Sequence, residues 1–210
     1  MLHNKNSRSI IIPAVLFIIT AMFAGATKFV KDPPAHHIVK WVVEKNSTLR
    51  VEGKSNINSF TCNINEYAAK DTIVCIDELS TPIRLSGDLQ MDVLSFNCHS
   101  SVITKDLRKT LKAEEYPKLN IRFLSLQSMP SPLSKTESIN GSLEVELAGV
   151  VKRFEVSYSF TTIGAGYIKL NGGHRFCFSD FKLVPPKKMA GLIKIKDEFD
   201  VNFQLVLRTI

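Results

Sequence analysis

The sequence has little of what catalytic and metal-binding proteins usually display. Among its 210 residues are one tryptophan, four cysteines and five histidines. It contains no C-x-x-C pair, so zinc binding and thioredoxin-like chemistry have no support. The motifs G-x-S-x-G and H-E-x-x-H and a phosphate-binding glycine loop are also missing. These absences argue against the common hydrolase, metalloprotease and nucleotide-binding classes.

The charge balance is only mildly basic. Lysine and arginine number 27 against 20 acidic residues, which gives a formal net charge of +7. This excess is compatible with contact to an anionic membrane surface but is too weak to argue for a nucleic acid partner. With 44% apolar and 22% charged residues, the composition is that of a folded globular chain of about one domain.

The longest apolar run lies close to the N-terminus, at residues 10–23. A polar segment with two basic residues precedes it, and Ala24-Gly25-Ala26 follows it. The run is roughly 15 residues, shorter than the roughly 20 needed to span hydrocarbon. We predict a signal peptide at residues 1–26, cleaved near Ala26, and therefore a periplasmic or secreted protein. An uncleaved membrane anchor is the alternative.

After a proline-broken lead-in at residues 27–37, apolar and polar side chains alternate with a period of two. The alternation is clearest in five segments, at 48–52, 85–93, 143–147, 154–160 and 199–207, and 119–126 is a further strand candidate. Strands with one apolar and one polar face are typical of antiparallel sheets. Closing such a sheet removes its edges. We therefore predict a single all-β domain at residues 38–210, an eight-stranded antiparallel barrel.

One segment has a helical period instead. Ile103, Leu107 and Leu111 recur every four residues, and Pro117 follows shortly after them. This pattern predicts one short amphipathic helix inserted in a long connection between strands.

The inward face of the predicted barrel is rich in aliphatic and phenylalanine side chains. The fifteen residues that we assign to this face, as the candidate lining of an apolar tunnel, are Leu89, Met91, Val93, Ile121, Phe123, Leu143, Val145, Phe154, Val156, Tyr158, Phe160, Phe199, Val201, Phe203 and Leu205. If they do not fill the interior, they leave a slot for a long apolar ligand. Alternation reveals a face and not a void, so on the pattern alone a filled core is the simpler interpretation.

In an oxidising compartment, such as the predicted periplasmic or extracellular location, cysteines can form disulfides. Cys62 and Cys75 lie on two neighbouring strand candidates, so we predict a disulfide between them. The alternative is that all four cysteines are small buried hydrophobic residues. Cys98 and His99 are adjacent in sequence, and on a strand adjacent side chains point apart, which argues against a nucleophile–base pair.

Several local patterns follow one another in order over the predicted domain. They are Trp41, Ser47-Thr48-Leu49, Gly53-Lys54-Ser55, Ser59-Phe60, Gly87 with 89–93, Asp106-Leu107-Arg108, 116–123, 140–143, Ala148-Gly149-Val150, 178–186 and 191–195. In this order and spacing the chain resembles the YceI-like, polyisoprenoid-binding family of secreted lipocalin-like barrels. The four cysteines and the loose segment at 127–138 depart from the family pattern and leave the ligand's identity open.

The resemblance implies an elongated, eight-stranded antiparallel lipocalin-like barrel with one helix around a long apolar tunnel. It also implies a periplasmic or secreted protein that binds a long isoprenoid-type lipid, such as a quinone or polyprenyl tail, without catalysis. We accordingly expect no enzyme activity, cofactor, metal or nucleic acid partner. The alternatives are a filled barrel that serves as an interaction or stress-related module and, third, a lipid-modifying enzyme.

Two further features concern polar groups inside and outside such a tunnel. The hydroxyl of Tyr158 needs a partner when it is buried, either a polar head group of the ligand or a backbone carbonyl. Basic residues cluster near the C-terminus, which suits a transient contact between the tunnel mouth and an anionic membrane or, alternatively, an ordinary solvated surface. These residues are Lys182, Lys187, Lys188, Lys194 and Lys196.

Overall fold

The computed structural model describes residues 37–77, 82–131, 135–164 and 166–210. The predicted signal peptide and residues 27–36 of the lead-in lie outside the described residues, so the domain boundaries, cleavage and localisation stay predictions. In the described part of the chain, no helix is both long and apolar enough to cross a bilayer.

Antiparallel strands make up most of the described chain, together with one α-helix, α1. The strands are β1 (His37–Val43), β2 (Thr48–Ser55), β3 (Ser59–Ile64), β4 (Thr72–Asp77), β5 (Ile83–Ser86), β6 (Asp88–Asp92), β7 (Lys118–Leu126), β8 (Thr136–Leu147), β9 (Val150–Gly164), β10 (Tyr167–Cys177), β11 (Lys187–Lys188) and β12 (Ile193–Thr209). Helix α1 (Ser101–Thr110) lies between β6 and β7, and short 3-10 turns occur at Val93–Ser95, Phe178–Phe181 and Met189–Gly191.

Eight strands form a closed ring in the order β1-β4-β5-β7-β8-β9-β10-β12, which a pairing between β12 and β1 completes. The long strand β12 pairs near its end with β1 (Trp41 opposite Thr209) and earlier with β2 (Val51 opposite Val201). Strands β1 and β2 therefore lie end to end along β12. In the same way β5 and β6 lie end to end along β7. The predicted eight-stranded antiparallel fold with one inserted helix is confirmed.

On the side where α1 lies, a backbone bridge and a disulfide connect the helix segment to the strands. Strand β3 pairs with β2, and its Asn63 also exchanges two backbone hydrogen bonds with Asn97, at 2.8 and 2.9 Å. Next to this bridge, a disulfide joins Cys62 of β3 to Cys98. Helix α1 begins at Ser101, three residues after Cys98, and Ser100 is its N-cap. The bridge and the disulfide thus attach the start of α1 to β3.

The predicted disulfide between Cys62 and Cys75 is wrong. Cys62 pairs with Cys98, and Cys75 is a buried free thiol in β4. The prediction took β3 and β4 as side-by-side neighbours because they are consecutive in sequence. In the structure β3 pairs with β2, whereas β4 pairs with β1 and β5, so the two strands follow one another instead of pairing.

Thiol labelling tests this pairing. We expect a native, unreduced sample to label first at the half-buried Cys177, whereas Cys75 reacts only on unfolding. Burial raises the pKa of the Cys75 thiol to about 12, so little reactive thiolate forms at neutral pH. Peptide mapping by mass spectrometry should find Cys62 linked to Cys98. A peptide linking Cys62 to Cys75 would contradict the structure.

Local sequence explains the elements that frame the interior. Ala148 and Gly149 connect β8 to β9 with φ angles of 51° and 75°, as a two-residue hairpin requires. A Cβ at Gly149 would lie 2.6 Å from the ring of Tyr116, so this position needs glycine for space as well as for conformation. The predicted spacing of Leu107 and Leu111 places both side chains in the core, beneath α1.

The apolar face of the strands turns inward along the whole ring. All fifteen residues assigned to the inward face are either buried or packed against the buried core. Three of them, Phe154, Val201 and Phe203, are only partly buried. Their inward placement does not test whether they contact a ligand.

Candidate functional site

One half of the interior is filled by aromatic rings. Tyr158 lies about 6 Å from each of Phe123, Phe160 and Phe203, measured between ring centroids at 6.1, 6.4 and 6.1 Å. Trp41 extends this aromatic layer, with its ring centroid 5.9 Å from that of Phe160. Aromatic rings therefore occupy the interior at the end of the ring opposite α1.

The other half, beneath α1, contains a cavity of about 70 Å³. Its wall is apolar, and among the described residues that line it, His174 is the only ionisable one. The lining residues are Leu49, Val51, Phe96, Leu107, Leu111, Leu119, Ile121, Leu143, Val145, Leu147, Val156, His174, Phe176, Phe178, Phe181, Phe199, Val201 and Phe203. An apolar ligand can gain binding free energy here only through hydrophobic burial and packing.

The structure divides the predicted lining residues into two groups. Those at the cavity are Ile121, Leu143, Val145, Val156, Phe199, Val201 and Phe203. Of the remaining eight, Phe154 packs behind the cavity wall, against His174, Phe176 and Phe181. The other seven belong to the aromatic layer or to the packed core, and they are Leu89, Met91, Val93, Phe123, Tyr158, Phe160 and Leu205.

Sequence reasoning missed eleven of the eighteen residues of the cavity wall, most of which come from outside the clearest alternating segments. Leu107 and Leu111 come from the helix side, and their four-residue period was the available signal. Phe176 lies at the end of β10, and Phe178 and Phe181 come from the 3-10 turn that follows it. A short turn has no periodicity, so only the density of phenylalanine in this segment pointed to the interior.

Asp180 fixes this aromatic turn. Its carboxylate accepts hydrogen bonds from Lys152 Nζ and from the backbone N–H of Cys177, both at 2.8 Å. The bond from Lys152, followed by that from Cys177, lowers the pKa of Asp180, so the side chain stays ionised at neutral pH. Ser179 is held in turn by Asp197, whose carboxylate accepts from its backbone N–H at 3.0 Å. These polar bonds outside the ring hold Phe178 and Phe181 against the cavity.

A groove of about 280 Å³ adjoins the cavity. It lies between the β2–β3 turn, α1 and the segment around β11 and the start of β12, and it shares Leu107 and Phe178 with the cavity wall. Asn56 ties two of these elements together. Its side-chain amide donates to the carbonyl of Leu192 and accepts from the N–H of Lys194, both at 2.9 Å. Through the shared Leu107 and Phe178, the groove offers an apolar approach to the cavity from solvent.

Phe203 belongs both to the cavity wall and to the aromatic layer. It faces Gly172 across the β10–β12 pairing, and a Cβ at Gly172 would lie 2.3 Å from the Phe203 ring. The Phe203 ring occupies the space that a side chain at position 172 would take. Because Phe203 lines the cavity and also packs near Phe123 and Tyr158, its rotation would extend the cavity toward the aromatic layer.

Tyr158 carries the hydroxyl that we singled out as a partner for a polar group. It is 1% exposed, and its hydroxyl has no hydrogen-bond partner among the described residues. Burial, with a smaller contribution from Glu155, raises the pKa of Tyr158, so the group stays a neutral donor. The backbone carbonyl that was the alternative partner does not accept this bond.

The variant Tyr158→Phe measures the cost of this unpaired hydroxyl. Removing a buried polar group that makes no hydrogen bond relieves its desolvation penalty, so we expect the free energy of unfolding to stay the same or to rise by about 1 kcal/mol. Urea unfolding followed by circular dichroism is the measurement. A loss of stability above about 1 kcal/mol would show that the hydroxyl is paired in the folded protein.

The histidines and cysteines do not form a catalytic or metal-binding arrangement in the described ranges. Cys98 is disulfide-bonded and has no free thiol, and His99 Nε2 lies 3.1 Å from the amide nitrogen of Asn63. His174 packs against Phe154 and Phe176, with ring centroids 5.0 and 4.7 Å apart. No group of three or more potential metal ligands occurs in the part of the chain that the structure describes.

A closed ring of antiparallel strands around an apolar interior, with one helix at the cavity end, is the architecture of lipocalin-like barrels. No family model and no curated protein matches the sequence. Among solved structures, Burkholderia cenocepacia BcnA has a TM-score of 0.58 at 15% identity, with 76% of this chain and 95% of that chain covered.

Two further solved structures share the architecture. A polyisoprenoid binding domain from Saccharophagus degradans, implicated in plant cell wall breakdown, has a TM-score of 0.58 at 13% identity and covers 81% of this chain and 98% of its own. A Campylobacter jejuni YceI protein has a TM-score of 0.50 at 17% identity, with 73% and 82% covered. At these identities the likeness concerns the fold. The fold is YceI-like, which confirms at that level the resemblance predicted from the sequence.

Proposed function

We propose that this protein is a periplasmic or secreted binding protein that holds a long isoprenoid-type lipid, such as a quinone or polyprenyl tail, inside the ring. The observation that carries the proposal is the apolar cavity beneath α1, whose wall offers a ligand hydrophobic contact. The shared fold with a polyisoprenoid binding domain supports the same ligand class. Each CH₂ removed from water would contribute about 0.8 kcal/mol.

Binding must enlarge the cavity. Pockets for drug-sized ligands measure roughly 300–1,000 Å³, whereas this cavity measures about 70 Å³. We propose that the ligand enters along the groove and displaces side chains at the cavity, with Phe203 turning away from its position over Gly172. The tail then extends toward the aromatic layer.

Mass spectrometry of an organic extract tests the proposal. The full chain is produced in a bacterial host that makes long-chain quinones, purified without detergent, and extracted. We expect a reproducible isoprenoid-type lipid in a ratio approaching one per chain. A blank extract from a well-folded preparation, with no uptake of added polyprenol, would contradict the proposal.

The filled-barrel module remains the second candidate, and the aromatic layer favours it. Trp41, Phe123, Tyr158, Phe160 and Phe203 close half of the interior as a packed core would. This candidate predicts the blank extract, so the same experiment separates the two. That the protein is not an enzyme stays a prediction, and incubation of the purified chain with isoprenoid esters and diphosphates tests it.

A further inference from the structure

We propose that the groove rim is a docking surface for an anionic lipid bilayer. The groove rim is defined here by Ile57, Val102 and Leu192, with the lysines beside them. The inference deepens the proposed function and rests on it, because it makes the groove the path by which lipid passes between membrane and cavity.

Three exposed aliphatic side chains surround the groove, each from a different element. Ile57 in the β2–β3 turn is 60% exposed, Val102 in the first turn of α1 is 64% exposed, and Leu192 just before β12 is 72% exposed. Ile57 and Val102 also line the groove itself. The hydrogen bonds of Asn56 to the backbone of Leu192 and Lys194 hold the first and third elements together. The apolar tips therefore form one preorganised patch around one opening.

Exposed basic side chains lie beside this apolar patch. Lys54, Lys105, Lys187 and Lys194 are exposed, and each is the immediate chain neighbour of a groove-lining residue. The acidic residue in the groove lining is Asp106. At this end Asp180 is paired with Lys152, whereas Asp197, which accepts from the neutral Ser179, and the exposed Glu198 keep their negative charges. Lys196, next to the groove-lining Ile195, is also exposed, so five lysines outnumber three carboxylates and the rim carries a small net positive charge that complements an anionic surface.

A bilayer fits this combination better than a protein partner does. Separate aliphatic tips can enter the acyl boundary, while flexible lysines around them contact anionic head groups. The apolar wall continues inward, because Leu107 and Phe178 belong to both the groove and the cavity. A lipid tail that leaves a docked membrane by this route meets apolar side chains from the rim to the cavity.

Vesicle flotation tests the docking surface on the full chain. The probes are vesicles of phosphatidylcholine with 30% phosphatidylglycerol (a chosen test composition, roughly that of an anionic leaflet) and vesicles of phosphatidylcholine alone. We expect preferential binding to the anionic vesicles that weakens as salt is raised. The double variant Ile57→Ser with Leu192→Ser should lower the partition coefficient at least about tenfold. Lys187→Gln and Lys194→Gln should each lower it about fivefold on anionic vesicles only.

Matched controls lie at the opposite end of the ring. Ile163→Ser, at the end of β9, and Lys40→Gln, in β1, also change exposed residues and should leave vesicle binding unchanged. All substituted positions are exposed, so thermal unfolding should match that of the wild type. Equal binding by the rim and control variants, or no binding of the wild type to either vesicle, would overturn the docking surface.

Lipid content measured on the same samples separates this inference from the proposed function. A wild-type chain that carries lipid but ignores vesicles overturns docking and leaves lipid binding intact. A chain that binds anionic vesicles through the rim but never carries lipid supports docking and overturns the proposed function.

Discussion

Val156→Trp is expected to reduce the lipid carried by the purified protein at least about tenfold. Val156 is 3% exposed, points into the ring from β9 and lines the cavity. It lies opposite Gly141 of β8, and the space over Gly141 is already filled by the Ser125 carbonyl and the Tyr158 ring, so the indole must extend into the cavity. The larger side chain takes the space that the tail requires. Lipid per chain, quantified by mass spectrometry, is the measurement.

The matched control is Val151→Trp on the same strand. Val151 is 55% exposed on the outer face, so the same side chain there should leave lipid content unchanged. Overpacking the interior at Val156 costs roughly 1–3 kcal/mol, and circular dichroism establishes that the variant stays folded. A folded Val156→Trp protein with wild-type lipid content would show that the ligand does not occupy the cavity.

Cys98→Ser is expected to lower the free energy of unfolding by about 4 kcal/mol. The Cys62–Cys98 disulfide spans a sequence separation of 36 residues. Releasing a loop of this length restores conformational entropy to the unfolded chain in roughly that amount. The same bond attaches the start of α1 to β3 beside the Asn63–Asn97 bridge, so α1 should also loosen over the cavity. Denaturant unfolding of wild type and variant measures the loss.

The matched control for this variant is Cys177→Ser, which removes a free, half-buried thiol and should change stability by less than about 1 kcal/mol. Chemical reduction of the wild type should reproduce the loss seen in Cys98→Ser. If Cys98→Ser is as stable as the wild type under non-reducing conditions, the disulfide does not form in solution.

The strands and the helix were predictable because their signals are local. Alternation over Leu143–Leu147 and over Phe154–Phe160 predicted two antiparallel strands, and Gly149 between them marked the hairpin. The four-residue period of Ile103, Leu107 and Leu111 predicted the helix. Such patterns depend only on which face of an element meets the core, and that is a property of the segment itself.

Long-range pairing and internal volume were not predictable in the same way. No local pattern in the sequence indicates that β3 pairs with β2 whereas β4 pairs with β1. The wrong disulfide partner for Cys62 followed from this missing information. Nor does alternation reveal how far rings such as Phe123 and Phe203 fill the space that they face. A filled layer and a cavity use the same residue types, so only the packed structure divides the fifteen inward residues between them.

Nuclear magnetic resonance of the methyl groups can locate a bound lipid inside or outside the ring. The full chain, labelled at isoleucine, leucine and valine methyls and stripped of lipid, is titrated with a polyprenol. We expect intermolecular nuclear Overhauser effects from the polyprenol to Ile121, Leu143 and Val156, and none to Val151 or Ile163 on the outer surface. Contacts confined to the outer methyls, with Ile121, Leu143 and Val156 unchanged at saturation, would contradict this expectation.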